Sequence, residues 1–167
     1  MYKRALVPLD GSPLAEAIIP FLVDIAGPLD MSVVLLRVLE PIPPVVVEGV
    51  RHALLETGAA RARQAEEYLE STAATLRARG VEVACQVRSG RPELEIVEAA
   101  RDTSADLIAM STHGRSGFGR LLFGSVAEQV LRHADVPVFM MRQSEGAAPA
   151  TVTALGGADA DTRRRAT

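Results

Sequence analysis

The stretch Ser111-Thr112-His113-Gly114-Arg115-Ser116-Gly117-Phe118-Gly119-Arg120-Leu121-Leu122-Phe123-Gly124-Ser125 holds the residue types best suited to chemistry in this chain. Glycines let main-chain N–H groups approach an anion closely, because no Cβ stands between them. The apolar run Asp106-Leu107-Ile108-Ala109-Met110 before it predicts a buried strand, and Val126-Ala127-Glu128-Gln129-Val130-Leu131 after it predicts a helix. A loop that opens onto a helix N-terminus offers unpaired amides and the positive end of the helix dipole, and both favour phosphate. Arg115, directly after Gly114, and Arg120 can each pair a phosphate oxygen. Ser125-Val126-Ala127-Glu128 has the form of a capping box, so Ser125 is expected to cap the helix and share its free donors with phosphate.

Other chemistries are disfavoured. Lys3 is the sole lysine, so no Gly-Lys-Ser/Thr phosphate loop exists and a P-loop hydrolase is excluded. Cys85 is the sole cysteine, so no internal disulfide forms and a reducing compartment is expected. It alternates with Val81, Val83 and Val87, as a packed small hydrophobe would. His52 and His133 fall on predicted helices without metal-ligand spacing, so no zinc or other resident metal is expected. His113 is read as structural. No carboxylate pair or nucleophile triad can be assembled, and the chain is not expected to be a committed enzyme.

The elements that must position the loop alternate between strand and helix. Residues 3–9 form an apolar run ending in Pro8-Leu9-Asp10-Gly11-Ser12-Pro13, with Ser12 as helix cap and Pro13 at the first helical position. A helix carrying Leu14, Ile18, Phe21, Leu22 and Ile25 follows, kinked or loosened at Pro20. Ser32–Leu39 predicts a second strand. A long helix spans 51–79 with Ala62, Ala65, Leu69, Ala73 and Leu76 on its apolar face. The alternation across 81–88 predicts a third strand near a sheet edge. Pro92 opens a third helix, 105–111 is a fourth strand, and a fourth helix runs to His133. Val136–Met141 is a fifth strand, and Pro137 confines it to an edge or a strand start. Five strands and four helices in alternation predict an α/β fold, a doubly wound parallel sheet with helices on both faces. Ligands in such sheets sit beyond the carboxyl ends of the strands.

With 167 residues and 48% hydrophobic content, the chain has enough material for one folded domain, placed at 1–143. Residues 144–167 lack apolar periodicity and predict a disordered tail. A net charge of −3 with both signs interspersed gives no basis for a nucleic-acid or membrane surface. Pro8 cuts the apolar run after Lys3 and Arg4 too short for a secretory signal, and a cytoplasmic protein is expected.

In order, these motifs resemble the universal stress protein family. Its nucleotide-binding members carry Gly-x2-Gly-x9-Gly-Ser/Thr after the fourth strand. Here the frame falls on Ser111-x2-Gly114-x9-Gly124-Ser125, with Ser111 where the family has its first glycine. Pro8-Leu9-Asp10-Gly11-Ser12, Gly90-Arg91-Pro92 and Pro137-Val138 match the family's first turn, third-helix entry and closing strand. The resemblance implies a flavodoxin-like sheet of order 3-2-1-4-5 and an ATP site. Pro8, Asp10 and Val38 would line the adenosine end, and Met110 and Ser111 would follow the fourth strand into the site. Gly114, Gly124, Ser125 and Val126 would meet the phosphates, with Arg115 beside them. Asp10 can accept a ribose or adenine hydrogen bond, or help hold magnesium through water.

The function implied is that of an ATP-binding stress-response regulator acting through partner proteins. The alternatives are a slow ATP hydrolase and a nucleotide-free interaction protein of the same fold. A flavin module is disfavoured, since the chain has no Trp and two Tyr to stack on the ring system. The resemblance also implies a homodimer paired through the last strand (Val136, Val138, Met140), and an unpaired strand edge gives an independent reason to expect a partner there.

Overall fold

The computed structural model describes residues 2–41, 51–114 and 124–144, with the main chain alone for 51–57, 113, 114, 143 and 144. The tail expected to be disordered therefore lies outside the described residues from 145 onward, as do Arg115 and Arg120.

Arg4–Pro8 (β1), Ser32–Leu39 (β2), Val83–Ser89 (β3), Leu107–Gly114 (β4) and Val138–Ser144 (β5) form one sheet in the order β3-β2-β1-β4-β5. Every pairing is parallel, as expected. Pro13–Glu16 (α1), Ile18–Ala26 (α2), Arg51–Arg77 (α3), Pro92–Asp102 (α4) and Ser125–His133 (α5) supply the helices. The two strands predicted at edges, β3 and β5, are the edges.

Side chains alternate between the two faces of each strand, so a strand covered on both sides must be apolar throughout. In β1, Ala5 and Val7 face one core with Val33, Leu35, Leu22 and Leu69. Leu6 faces the other core with Val34, Leu36, Ile96, Ile108 and Val130. The first core lies under α2 and α3, the second under α4 and α5. The predicted stripe of α3 is largely the buried one: Ala65, Leu69, Ala73 and Leu76 are buried, while Ala62 is half-buried.

Two expectations need correction. The first predicted helix is two helices, separated at Ala17. Pro20 has no N–H to give to the Glu16 carbonyl, so a continuous helix would lack its bond at that turn. The fourth strand does not stop at Ser111. It continues through Gly114, because Ser111, Thr112, His113 and Gly114 pair with Met141, Arg142, Gln143 and Ser144 of β5. The first residues of the glycine motif are therefore strand, not loop.

The start of the sheet is fixed by Asp106. Its carboxylate accepts from the amides of Lys3 (2.7 Å) and Arg4 (3.0 Å), and the Arg4 guanidinium donates to the Thr103 carbonyl (2.6 Å). Burial raises the Asp106 carboxyl, but the Arg4 and Lys3 amides outweigh it and hold the group below the usual carboxylate range. A carboxyl depressed in the folded state stabilises fully above its unfolded value, and that contribution is lost as pH falls through the lower folded value. Asp106→Ala should therefore cost about 1–2 kcal/mol at neutral pH in urea unfolding. The gap to the parent should narrow as pH drops below about 4.

Candidate functional site

A cavity of about 560 Å³ opens at the carboxyl ends of β1, β2 and β4. This is where the chain order reverses around β1, the place a doubly wound sheet leaves for a ligand. Pro8, Asp10, Val38, Met110, Ser111, Gly124 and Val126 all line it. Seven residues far apart in sequence thus share one wall.

One predicted residue stands elsewhere. Ser125 is the first residue of α5 and is exposed, outside the lining. The main chain of Gly114 ends β4 opposite Ser144. Arg115 lies outside the described residues.

The turn from β1 into α1 is built by its own side chains. Gly11 has φ +79°, a conformation that favours glycine. Asp10 Oδ1 accepts from the Ser12 amide (2.8 Å), and Ser12 Oγ accepts from the Ala15 amide (3.1 Å), the capping role expected of Ser12. Arg37 Nη1 donates to the Leu9 carbonyl (3.3 Å) and lies 3.7 Å from where a Cβ on Gly11 would stand. Behind this turn Tyr68 donates to Glu16 Oε1 (2.9 Å). Burial first, then the Glu16 carboxylate, push the Tyr68 hydroxyl well above its ordinary value and keep it protonated.

At α5 the capping box does not form. The helix is capped by Gly124, no side chain caps its amides, and Glu128 instead pairs with Arg132 at 2.7 Å. The cap sits one residue earlier than predicted, which turns Ser125 into a first-turn residue. Its neighbours in the helix face the ligand space through Val126 and Ala127. The first-turn amides of a helix have no intrahelical partner, so this end is left to a ligand or to water.

Ser111 replaces a family glycine without backbone strain. Among the described non-glycine residues only Asp30 and Ser104 have positive φ, and Ser111 sits in regular strand pairing with Met141. Its neighbour Met110 packs in the core beneath α4 and α5, so strand alternation turns the Ser111 side chain to the other face. Ser111 Oγ is buried and has no hydrogen-bond partner among the described residues.

Arg37, Glu40, Arg61, Pro92, Thr112 and Ala127 also line the cavity and escaped the sequence reading. Arg37 had a usable signal: it interrupts an otherwise apolar strand. Arg61 had none, since α3 carries many arginines and only folding shows which one reaches the β2 end. There Arg61 Nη1 donates to the Glu40 carbonyl at 3.3 Å.

The fold and the cavity together define a flavodoxin-like α/β domain with a ligand space at the switch point. The chain belongs to the universal stress protein family, whose model matches residues 1–142. It is 31% identical over 149 residues to universal stress protein MJ0531 of Methanocaldococcus jannaschii, covering 86% of this chain and 84% of that one. The structure of protein MJ0577 from the same organism aligns with a TM-score of 0.69 at 27% identity, over 86% of this chain and 97% of that one. A universal stress protein solved in complex with cAMP aligns with a TM-score of 0.62 at 23% identity, over 84% and 97% of the two chains, and shares the fold. The chain spans 46% of the length of universal stress protein Rv2005c of Mycobacterium tuberculosis, about half. Among the described residues no helix is long and apolar enough to cross a membrane.

Cys85 stands apart from this site. It is half-buried on β3, and burial first, then the Glu70 carboxylate, push its thiol up to about 11. The thiolate is the reactive form, and little of it exists near neutrality. Labelling of the native protein with a thiol reagent at pH 8 should run at least tenfold (about one pH unit of thiolate,) slower than in the urea-unfolded chain. The native rate should climb with pH toward the raised value.

Proposed function

We propose that the cavity binds an adenine nucleotide, ATP among them, and that the chain is a stress-response regulator whose ligand state is read by partner proteins. The observation that carries this reading is the N-terminus of α5, capped by Gly124 without a side-chain hydrogen bond and opening onto a cavity that also collects Pro8, Asp10, Val38 and Met110. Adenosine is assigned to the Pro8, Asp10 and Val38 end, where Val38, Ile96 and Met110 offer apolar surface for a base. The phosphates run toward Gly124, Ser125 and Val126, whose amides donate to them, and Gly114 and Arg115 are assigned to them by the family resemblance. Family membership supports the reading, and the cAMP-bound relative of the same fold is consistent with it.

Magnesium fits as the nucleotide's companion rather than as a resident metal. Among the described residues no three ligating side chains cluster, while Asp10 places a carboxylate at the cavity. One carboxylate with the phosphates matches the way this ion is usually held.

We also propose a homodimer through β5, the outer strand of the sheet, and a cytoplasmic setting. Val136, Val138 and Met140 are partly buried against the second core, so the main chain of the edge, not these side chains alone, would carry the pairing. Light scattering after gel filtration should give twice the mass of one chain, and a monomer at all concentrations refutes the dimer.

ATP titrated calorimetrically into the full chain should give saturable heat, and none at millimolar ligand refutes the nucleotide reading. Gly124→Asp separates ligand from fold. A Cβ at Gly124 meets nothing within 4 Å, and aspartate is a better helix cap than glycine. Unfolding stability should stay level or rise by up to about 1 kcal/mol. ATP affinity should fall more than about tenfold, since a carboxylate then faces the phosphates.

A further inference from the structure

Four charged side chains line the cavity: Asp10, Arg37, Glu40 and Arg61. None of them forms an ion pair among the described residues. Among the described residues Arg37 gives one hydrogen bond, to the Leu9 carbonyl, and Arg61 one, to the Glu40 carbonyl, both at 3.3 Å. A guanidinium has five N–H donors, and 3.3 Å lies beyond the usual range for a strong bond. Both side chains are half-buried, so neither is fully solvated. The two carboxylates do not answer them. Asp10 Oδ1 is taken by the Ser12 amide, and Glu40 is exposed and meets Arg61 through its main chain.

The arginines also sit apart from the phosphate cradle. Arg37 follows Leu35 by two residues on β2 and pairs with Val87, and both of those pack in the core beneath α2 and α3. Arg61 belongs to α3 itself. Helix α5 packs on the opposite face of the sheet, with Ala127 and Val130 in the second core. The cavity thus has positive groups on two sides: main-chain amides under one face, two guanidinium groups under the other. A 5′-triphosphate running to α5 leaves the arginine side without an anion.

We propose that the Arg37–Arg61 wall binds a second phosphate of the ligand, so that the preferred ligand is an adenine nucleotide phosphorylated on its ribose as well as on its 5′ chain. This rests on the nucleotide reading above, which puts adenosine at the Pro8, Asp10 and Val38 end. Arg37 adjoins Val38 in sequence and grips the turn that carries Asp10, so its charge falls at the sugar end of such a ligand. Arginine is well matched to phosphate through paired, charge-assisted N–H bonds. A half-buried guanidinium with donors to spare gains more from an anion than a solvated one does.

The test is calorimetry on the full chain with AMP, adenosine 2′,5′-bisphosphate and adenosine 3′,5′-bisphosphate. One of the bisphosphates should bind at least about tenfold tighter than AMP, the scale of one or two charge-assisted hydrogen bonds. Arg61→Gln should bring that ratio close to one while leaving AMP affinity within about twofold of the parent. Arg37→Gln should do the same to the ratio, and its thermal unfolding identifies any loss that comes from the Leu9 turn instead. Equal affinities for AMP and both bisphosphates, with AMP binding intact, overturn this inference alone. A ratio that survives in both variants overturns it too. A parent that binds neither AMP nor ATP overturns the nucleotide reading and this inference with it.

Discussion

Burying both faces of a parallel sheet is the constraint from which the rest follows. Once α2 and α3 cover one side and α4 and α5 the other, the strands can meet solvent only at their ends and at the two outer edges. All strands run the same way, so their carboxyl ends gather on one rim. The order β3-β2-β1-β4-β5 then makes the chain leave β1 and its neighbours in opposite directions, and a gap opens between the departing loops. The cavity is a consequence of that winding, and its apolar wall is the upper end of the second core, where Val38, Ile96 and Met110 emerge from packing.

What the site offers a ligand is mostly main chain. The start of α5 has amides that no side chain among the described residues caps, and glycine at the cap adds no side chain over them. Such a device needs no lysine, which agrees with a chain whose one lysine lies at position 3, remote from every glycine of the motif. The charged side chains come from the other half of the rim, from β2 and α3, and were not selected by any motif. Under the proposed reading affinity and selectivity would reside on different elements: the α5 amides would donate to phosphate in general, while Arg37 and Arg61 would sense what else the ligand carries.

The sequence reading was strongest where two-sided burial writes itself into composition. Val33 to Leu36 could hardly be anything but a covered strand, and Pro137 marked β5 as peripheral. It failed where pairing partners decide. Ser111 to Gly114 have the look of a loop, yet β5 runs alongside and extends the strand. Ser125 and Glu128 satisfy a capping pattern, yet the helix starts so that Gly124 takes the cap and Glu128 turns to Arg132. Ser111 stands where the family has its first glycine. Strand alternation sends its side chain to the face away from Met110, so the substitution leaves the main chain free.

By itself the sequence determined the class of fold, the direction of the strands and the place of the glycine-rich stretch before the last helix. These depend on local periodicity and on glycine and proline stereochemistry, which are properties of short segments. Tertiary structure alone decided which arginines reach the cavity, where α5 begins and how far β4 runs. Those outcomes depend on contacts between residues tens of positions apart, such as Arg61 with Glu40 or Ser111 with Met141, and no local pattern encodes them.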